Sequence, residues 1–386
     1  MVNYKFLQQV KVVSTDNLAQ TLLAILREAG YQRPLFVMDK FLLQSEIVQE
    51  AKAKLVQNSF EVNTFTDIVP DPPLEVVDQG VAVFKESQSD AIVAIGGGSS
   101  IDVARGINIV RVNGGNIRDY ALGNREIGLT KGLIAIPTTS GTGSEMSNAL
   151  VLTDQHSEQK LAILSDNAVS EYAILNPDLV LSLPKKMTIA TGLDAFSHAA
   201  EGYLSKLSSP ITDAICEKVM FLLYHYLPRA VADGNDRIAR EKVMVAACLA
   251  GWMLNNAGTN IGHSSAHILG SKYHIVHGEA VAYALPGVLQ LAGQAMPNKV
   301  HEIGQILDAE YSKNLSDQEM IMVVSKRYKV FRDHILGLHP FADYGIKQDE
   351  LLAHVDEIKH EQFAGNTPLT LNKENVTTFL KQFGAR

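Results

Sequence analysis

Residues 91–100 read AIVAIGGGSS, an apolar run that passes without a break into Gly96, Gly97 and Gly98 and then two serines. Such a run predicts a strand buried on both faces, and the segment that follows predicts a helix opening at Ser99. Glycines let an anion approach the backbone, and the unpaired N–H groups of a helix N-terminus face it, so a pyrophosphate fits this turn. The competing reading is a tight turn closed by a capping box between Ser99 and Asp102. The loop is neither GxGxxG nor a Walker A sequence, so the motif alone does not choose between them.

The same alternation recurs on either side. Leu35 to Met38 reads as a strand, Phe41 to Val56 as a helix, Phe60 to Phe65 as a strand and Leu74 to Ser87 as a helix. Beyond the glycines, Ser99 to Val112 reads as a helix and Gly132 to Ile136 as a strand. Alternation of this kind implies a mostly parallel, Rossmann-like sheet with helices on both faces, whose ligands bind beyond the carboxyl ends of the strands. Ala149 to Thr153 and Leu161 to Leu164 read as a hairpin. After Pro184 strand signals almost vanish, and helical spacing runs through Thr188–Leu204, Pro210–Tyr226, Ile238–Asn256 and His263–Leu269. The expected organisation is therefore an α/β dinucleotide-binding domain over residues 1–184 and an all-α metal-binding domain over 185–386. No repeat or flexible linker separates them, which predicts direct packing with a cleft between.

Two further positions bear on a nucleotide. A second polar loop, PTTSGTGSE (137–145), follows the strand ending at Ile136 and offers hydroxyls and pliable backbone. Asp39 ends the strand from Leu35, where a carboxylate would bond a ribose 2′-hydroxyl and repel a 2′-phosphate, favouring NAD over NADP. The same residue could simply cap the next helix.

Four of the chain's 12 histidines fall between His263 and His277. His263 and His267 share a helical face at i and i+4, and His277 precedes Gly278, where the helix is expected to break. Asp194 and His198 are spaced likewise on an otherwise apolar segment. A buried ionised aspartate calls for a partner, and a divalent cation provides one. Imidazole with carboxylate suits Fe(II) or Zn(II). Spacing leaves open whether such an ion is catalytic or structural, or whether the histidines are hydrogen-bonded core residues.

Composition narrows the classes. The formal charge is -8 with no basic block, which disfavours nucleic acid and anionic membranes as partners. Cys216 and Cys248 are too few for a disulfide framework and sit in apolar helical stretches, which fits a reducing cytoplasm. Met1 to Val13 lacks the continuous apolar core of an export signal, and no segment has the length and apolarity of a membrane span.

Taken together, GGGSSID (96–102), PTTSGTGSE (137–145), GLDAFSHAAEGYLS (192–205) and HSSAHILGSKYHIVHG (263–278) resemble the iron-containing, group III alcohol dehydrogenases. The resemblance implies a dinucleotide domain followed by a helical domain of dehydroquinate synthase-like fold. It implies Asp194, His198, His263 and His277 as ligands of the metal, and His267 as a group that faces the substrate and relays protons. It assigns Gly97, Gly98 and Ser99 to the pyrophosphate, and Thr138, Thr139 and Thr142 to the second cofactor loop. Lys160, Leu179 and Asp71 become further cofactor contacts. Asp71 stands where the family often has Asn, and Asn176 where it usually has Asp. Trp252, Leu254 and Asn260 also depart from the usual residues near the pocket.

The implied activity is hydride transfer between a small alcohol or aldehyde and NAD, with Fe(II) or Zn(II) polarising the substrate oxygen, in a cytoplasmic homodimer or larger homo-oligomer. Enzymes of dehydroquinate-synthase or glycerol-dehydrogenase type share the fold and stand as alternatives. A non-catalytic nucleotide-binding protein with a structural metal is another. Residues 184–287 lack the clustered Lys and Arg that a phosphorylated substrate requires.

Overall fold

The computed structural model describes residues 4–155, 159–312 and 314–385. Met1 to Asn3, the start of the stretch read for an export signal, lie outside them. Two compact units emerge, Gln8–Thr139 with Gly143–Ser182, and Leu183–Arg386 with Ser140–Thr142 and the N-terminal stretch to Leu7. The helical unit thus takes in two short segments that a single linear boundary leaves on the other side.

Among the described residues the first unit carries eight strands: β1 (Lys11–Ser14), β2 (Pro34–Met38), β3 (Asn63–Phe65), β4 (Ala91–Gly96), β5 (Leu133–Pro137), β6 (Ala149–Asp154), β7 (Gln159–Leu164) and β8 (Tyr172–Leu175). Six of them form one parallel sheet in the order β1-β8-β5-β4-β2-β3, and β6 and β7 form the antiparallel hairpin read from the sequence. Its helices are α1 (Leu18–Ala29), α2 (Glu46–Gln57), α3 (Leu74–Glu86), α4 (Gly98–Asn113) and the short α5 (Ile117–Ala121).

Strands β2, β4 and β5 are buried along their whole length, as expected of parallel strands covered on both faces. Their side chains divide with period two. Leu35, Val37, Ile92, Ala94, Leu133 and Ala135 enter one core with α3 and α4, while Phe36, Met38, Val93, Ile95, Ile134 and Ile136 enter another with α1 and α2. Register pairs Met38 with Ile95 and Ile95 with Ile136, so the three strands end level. Asp39, Gly97 and Thr138 therefore emerge at one edge of the sheet.

Some expectations change. The helix expected over Phe41–Val56 is a 3-10 turn, Lys40–Gln44, and then α2, because Ser45 is extended and separates them. The strand expected over Phe60–Phe65 shortens to Asn63–Phe65. Helix α4 opens at Gly98, not Ser99, and Gly97 caps it without any side-chain bond. Asp102 does not reach back to the cap; its carboxylate accepts from the Val151 N–H at 3.0 Å.

The second unit is helical, with α6 (Lys185–Tyr203), α7 (Pro210–Ala232), α8 (Arg237–Ala257), α9 (Ile261–Tyr273) and α10 (His277–Gly293), followed by shorter helices to the C-terminus. One apolar core, from Ile189 to Phe383, joins them. The N-terminal stretch is tied on by the Trp252 indole, which donates to the Leu7 carbonyl at 2.7 Å and packs against Phe6. Among the described residues no helix is long and apolar enough to cross a membrane. Cys216 and Cys248 are both buried, and neither is in a disulfide.

Candidate active site

Helix α6 presents Asp194, His198 and Glu201 at i, i+4 and i+7, one stripe of a helix that is buried almost throughout. Asn260 caps α9 through its side chain, and His263 follows in the first turn. The helix break falls earlier than the sequence suggests. α9 ends at Tyr273, His274 takes a left-handed conformation with φ 54°, and His277 is the first residue of α10 rather than the last of α9. That turn swings the imidazole of His277 back toward the start of α9.

Three imidazoles converge on a single carboxylate oxygen. Asp194 Oδ1 lies 3.7 Å from His198 Nε2, 3.7 Å from His263 Nε2 and 3.5 Å from His277 Nε2. Ligand atoms of Asp194, His263 and His277 all lie within 4.8 Å of one another; His198 falls outside that set, although its ring stacks on His263 with centroids 4.5 Å apart. Asp194 Oδ1 and His263 Nε2 are buried and have no hydrogen-bond partner among the described residues. Orphaned polar atoms of this kind are costly. Donors so spaced suit bonds of about 2.1 Å to one shared ion, so these residues fit a divalent cation of the Fe(II) or Zn(II) type.

The local field favours positive charge. Burial works against ionising Asp194, but His198, His277 and His263 outweigh it and hold its carboxyl well below the usual range. Burial pushes His198 down to about 4, keeping it neutral. For His263 burial opposes a charge, yet the Glu201 and Asp194 carboxylates win and push it up to about 10. Access is one-sided: His277 keeps 34% of its side chain exposed, against 3–6% for Asp194, His198 and His263.

Two carboxylates at this site escape a reading by sequence motif. Glu201 is fully buried and accepts from His263 Nδ1 at 2.7 Å and from the backbone N–H of Asn260 and His263 at 2.9 and 3.1 Å. Its i+7 spacing from Asp194 is the signal that could have found it. Glu361 accepts from His267 Nδ1 at 3.0 Å, and no local pattern announces it. His267 stacks on His277 with centroids 5.5 Å apart. Asn260 proves to be part of the ligand scaffold, its amide donating to the Glu201 carbonyl at 3.1 Å.

The cofactor candidates divide by place. Gly97, Gly98 and Ser99 form the N-terminus of α4, which no side chain caps, and the Thr138 N–H bonds the Gly96 carbonyl at 2.9 Å, placing the two loops side by side. A Cβ on Gly97 would stand 3.3 Å from Thr139, which shows how tightly the loops meet. Lys160 and Asp71 pair with each other at 2.6 Å. Leu179 is buried in the sheet unit's core. Asp39 is exposed, and one of its oxygens caps the 3-10 turn through the Phe41 N–H. Thr142 belongs with the helical unit.

Comparison with known proteins agrees in both halves. Residues 10–177 match the model of the iron-containing alcohol dehydrogenase family, and residues 188–384 that of the Fe-containing alcohol dehydrogenase family, C-terminal. The NAD-dependent methanol dehydrogenase of Bacillus methanolicus is 35% identical over 328 residues, covering 84% of this chain and 85% of its own. The 1,3-propanediol dehydrogenase of Klebsiella pneumoniae is 35% identical over 355 residues, 92% of each chain. A solved 1,3-propanediol oxidoreductase superposes with a TM-score of 0.92 at 30% identity, covering 99% of this chain and 100% of that one.

Proposed function

The chain belongs to the iron-containing alcohol dehydrogenase family, and from that premise we propose that it transfers hydride between a small primary alcohol or diol and NAD, interconverting alcohol and aldehyde. The observation that carries this reading is the convergence of His198, His263 and His277 on one buried, orphaned oxygen of Asp194, accessible from the His277 side.

In this reading Asp194, His198, His263 and His277 hold Fe(II) or Zn(II). Such an ion would supply Lewis acidity toward the substrate oxygen, and a bound NAD would supply the hydride acceptor. The rest falls to the chain. Asp194 supplies fixed negative charge, and Glu201 fixes the ring of His263 through Nδ1, the usual task of a carboxylate behind a ligand histidine. His267, beside His277, receives the proton of the substrate hydroxyl. Gly97, Gly98 and Ser99 present backbone N–H groups to the pyrophosphate, with Thr138, Thr139 and Thr142 in the second loop and Lys160, Asp71 and Leu179 further along. The free oxygen of Asp39 accepts from the ribose, favouring NAD over NADP. We read the protein as cytoplasmic, in keeping with its charge of -8 and its two cysteines outside any disulfide, and, from the family it belongs to, as a homodimer or larger homo-oligomer.

The test is NADH formation across a panel of methanol, ethanol, propanol, butanol and propanediols, on protein stripped of metal and then restored with Fe(II) or Zn(II). Activity confined to the restored protein is the expected result. Full activity in the stripped protein would overturn the metal-dependent reading.

A further inference from the structure

Glu361 lies far from His267 in sequence and meets it only through the fold. It is the N-cap of a single 3-10 turn, Gln362–Asn366, and its carboxylate is held at three points. One oxygen accepts from the Phe363 N–H at 2.8 Å and from the Ser264 hydroxyl at 2.6 Å. The other faces His267 Nδ1 at 3.0 Å. Ser264 is itself fully buried on α9, one turn before His267. Burial works to raise the Glu361 carboxyl, but the contacts from His267, Ser264 and Phe363 prevail and hold it below its usual range.

A carboxylate so fixed attracts an N–H and repels a ring lone pair. Nδ1 of His267 therefore carries hydrogen, and in the neutral ring Nε2 is left as the acceptor. The rest of the ring is fixed by packing, with His277 stacked at 5.5 Å and 15° and Phe363 edge-on at 5.5 Å. Phe363 and Glu361 come from the same turn, so one short segment sets both the plane of the imidazole and its tautomer.

We propose that Glu361 is a positioning residue that holds His267 in its Nδ1–H tautomer, so that Nε2 is the nitrogen that accepts the hydroxyl proton of the substrate. The proposal rests on His267 having that proton-accepting role. In alcohol oxidation the substrate O–H bond breaks and an N–H bond forms at Nε2, while the electron pair of the carbinol C–H bond leaves as hydride for NAD. The imidazolium so formed is neutralised across Nδ1 by Glu361, and it returns its proton from Nε2 to water.

The experiment joins kinetics to nitrogen NMR of 15N-histidine-labelled, zinc-reconstituted protein. His267 of the unmodified protein should show the Nδ1–H tautomer. Glu361→Ala should shift that signal toward the other tautomer and lower kcat by about 10–100-fold. The alcohol KM and the zinc content should stay unchanged, and Glu361→Asp should recover part of the loss. Glu361→Gln, which keeps the shape, serves the same end if the alanine variant does not fold. Glu361→Ala should add little to the loss already caused by His267→Ala. An Nε2–H tautomer in the unmodified protein, or full turnover in Glu361→Ala beside an inactive His267→Ala, overturns the positioning role and leaves the proton-accepting role of His267 standing. Full turnover in His267→Ala overturns that role, and the proposal with it.

Discussion

Glu201 commits both oxygens to a single stretch of chain, Asn260 to His263, so it fixes where α9 begins as well as which way His263 faces. Glu201→Gln keeps the shape and removes the charge that raises His263. It should weaken zinc binding by about 10–100-fold in competition with a fluorescent chelator. Unchanged affinity would show that packing alone orients His263. Asp39 invites the opposite kind of test, because one of its oxygens is already bound to Phe41 and only the other is free for a ribose. Asp39→Gly should raise the ratio of NADP to NAD kcat/KM by about tenfold, equivalent to about 1.4 kcal/mol. A ratio that does not move would reduce Asp39 to a helix cap. The ligand candidates were legible because helical spacing puts chemically matched residues on one face within a few turns. Glu361 was not, since its partner at His267 is supplied by tertiary structure alone.

Between β4 and α4 the chain turns on Gly96, whose φ of 157° suits glycine, and a Cβ there would stand 2.4 Å from the Ser100 hydroxyl. Gly96→Ala should therefore distort the first turn of α4, with strain of about 1–3 kcal/mol. A rise in the Kd for NADH in a fluorescence titration is the expected outcome, and unchanged affinity would show that the loop absorbs the extra atom. This turn was readable because an apolar strand running into three glycines has few other uses. The capping box offered as its competing reading does not form. Ser99 and Asp102 have the spacing of a capping box, but Asp102 is drawn to Val151 of β6, a contact made across the fold. An alternation started at Leu35 leaves out β1, α1 and β8. β1 is a largely exposed edge strand with little pattern to detect. α1 is different: Asn17 caps it, Gly30 ends it, and Leu18, Leu22, Leu23 and Leu26 face inward, so its signal was present in the sequence.

The sheet unit has two apolar cores and the helical unit one, and none of the three includes a metal-ligand residue. Chelation should thus abolish alcohol oxidation while NADH binding and a cooperative thermal transition persist, as followed by fluorescence and calorimetry. Loss of NADH binding on chelation would instead assign the ion a structural role. The residues of the site are also strung along the chain in a definite order, and synthesis runs in that order. A ribosome releases Asp194 and His198 first, and His263 and His277 soon after on two helices joined by a short turn. Glu361 emerges only near the end. The core that packs the ligand helices runs on to Phe383, so the ligand set and the carboxylate that contacts His267 become ordered together, once the last helices have been made. A chain cut short before Glu361 should therefore fail to hold metal as well as to turn over NAD.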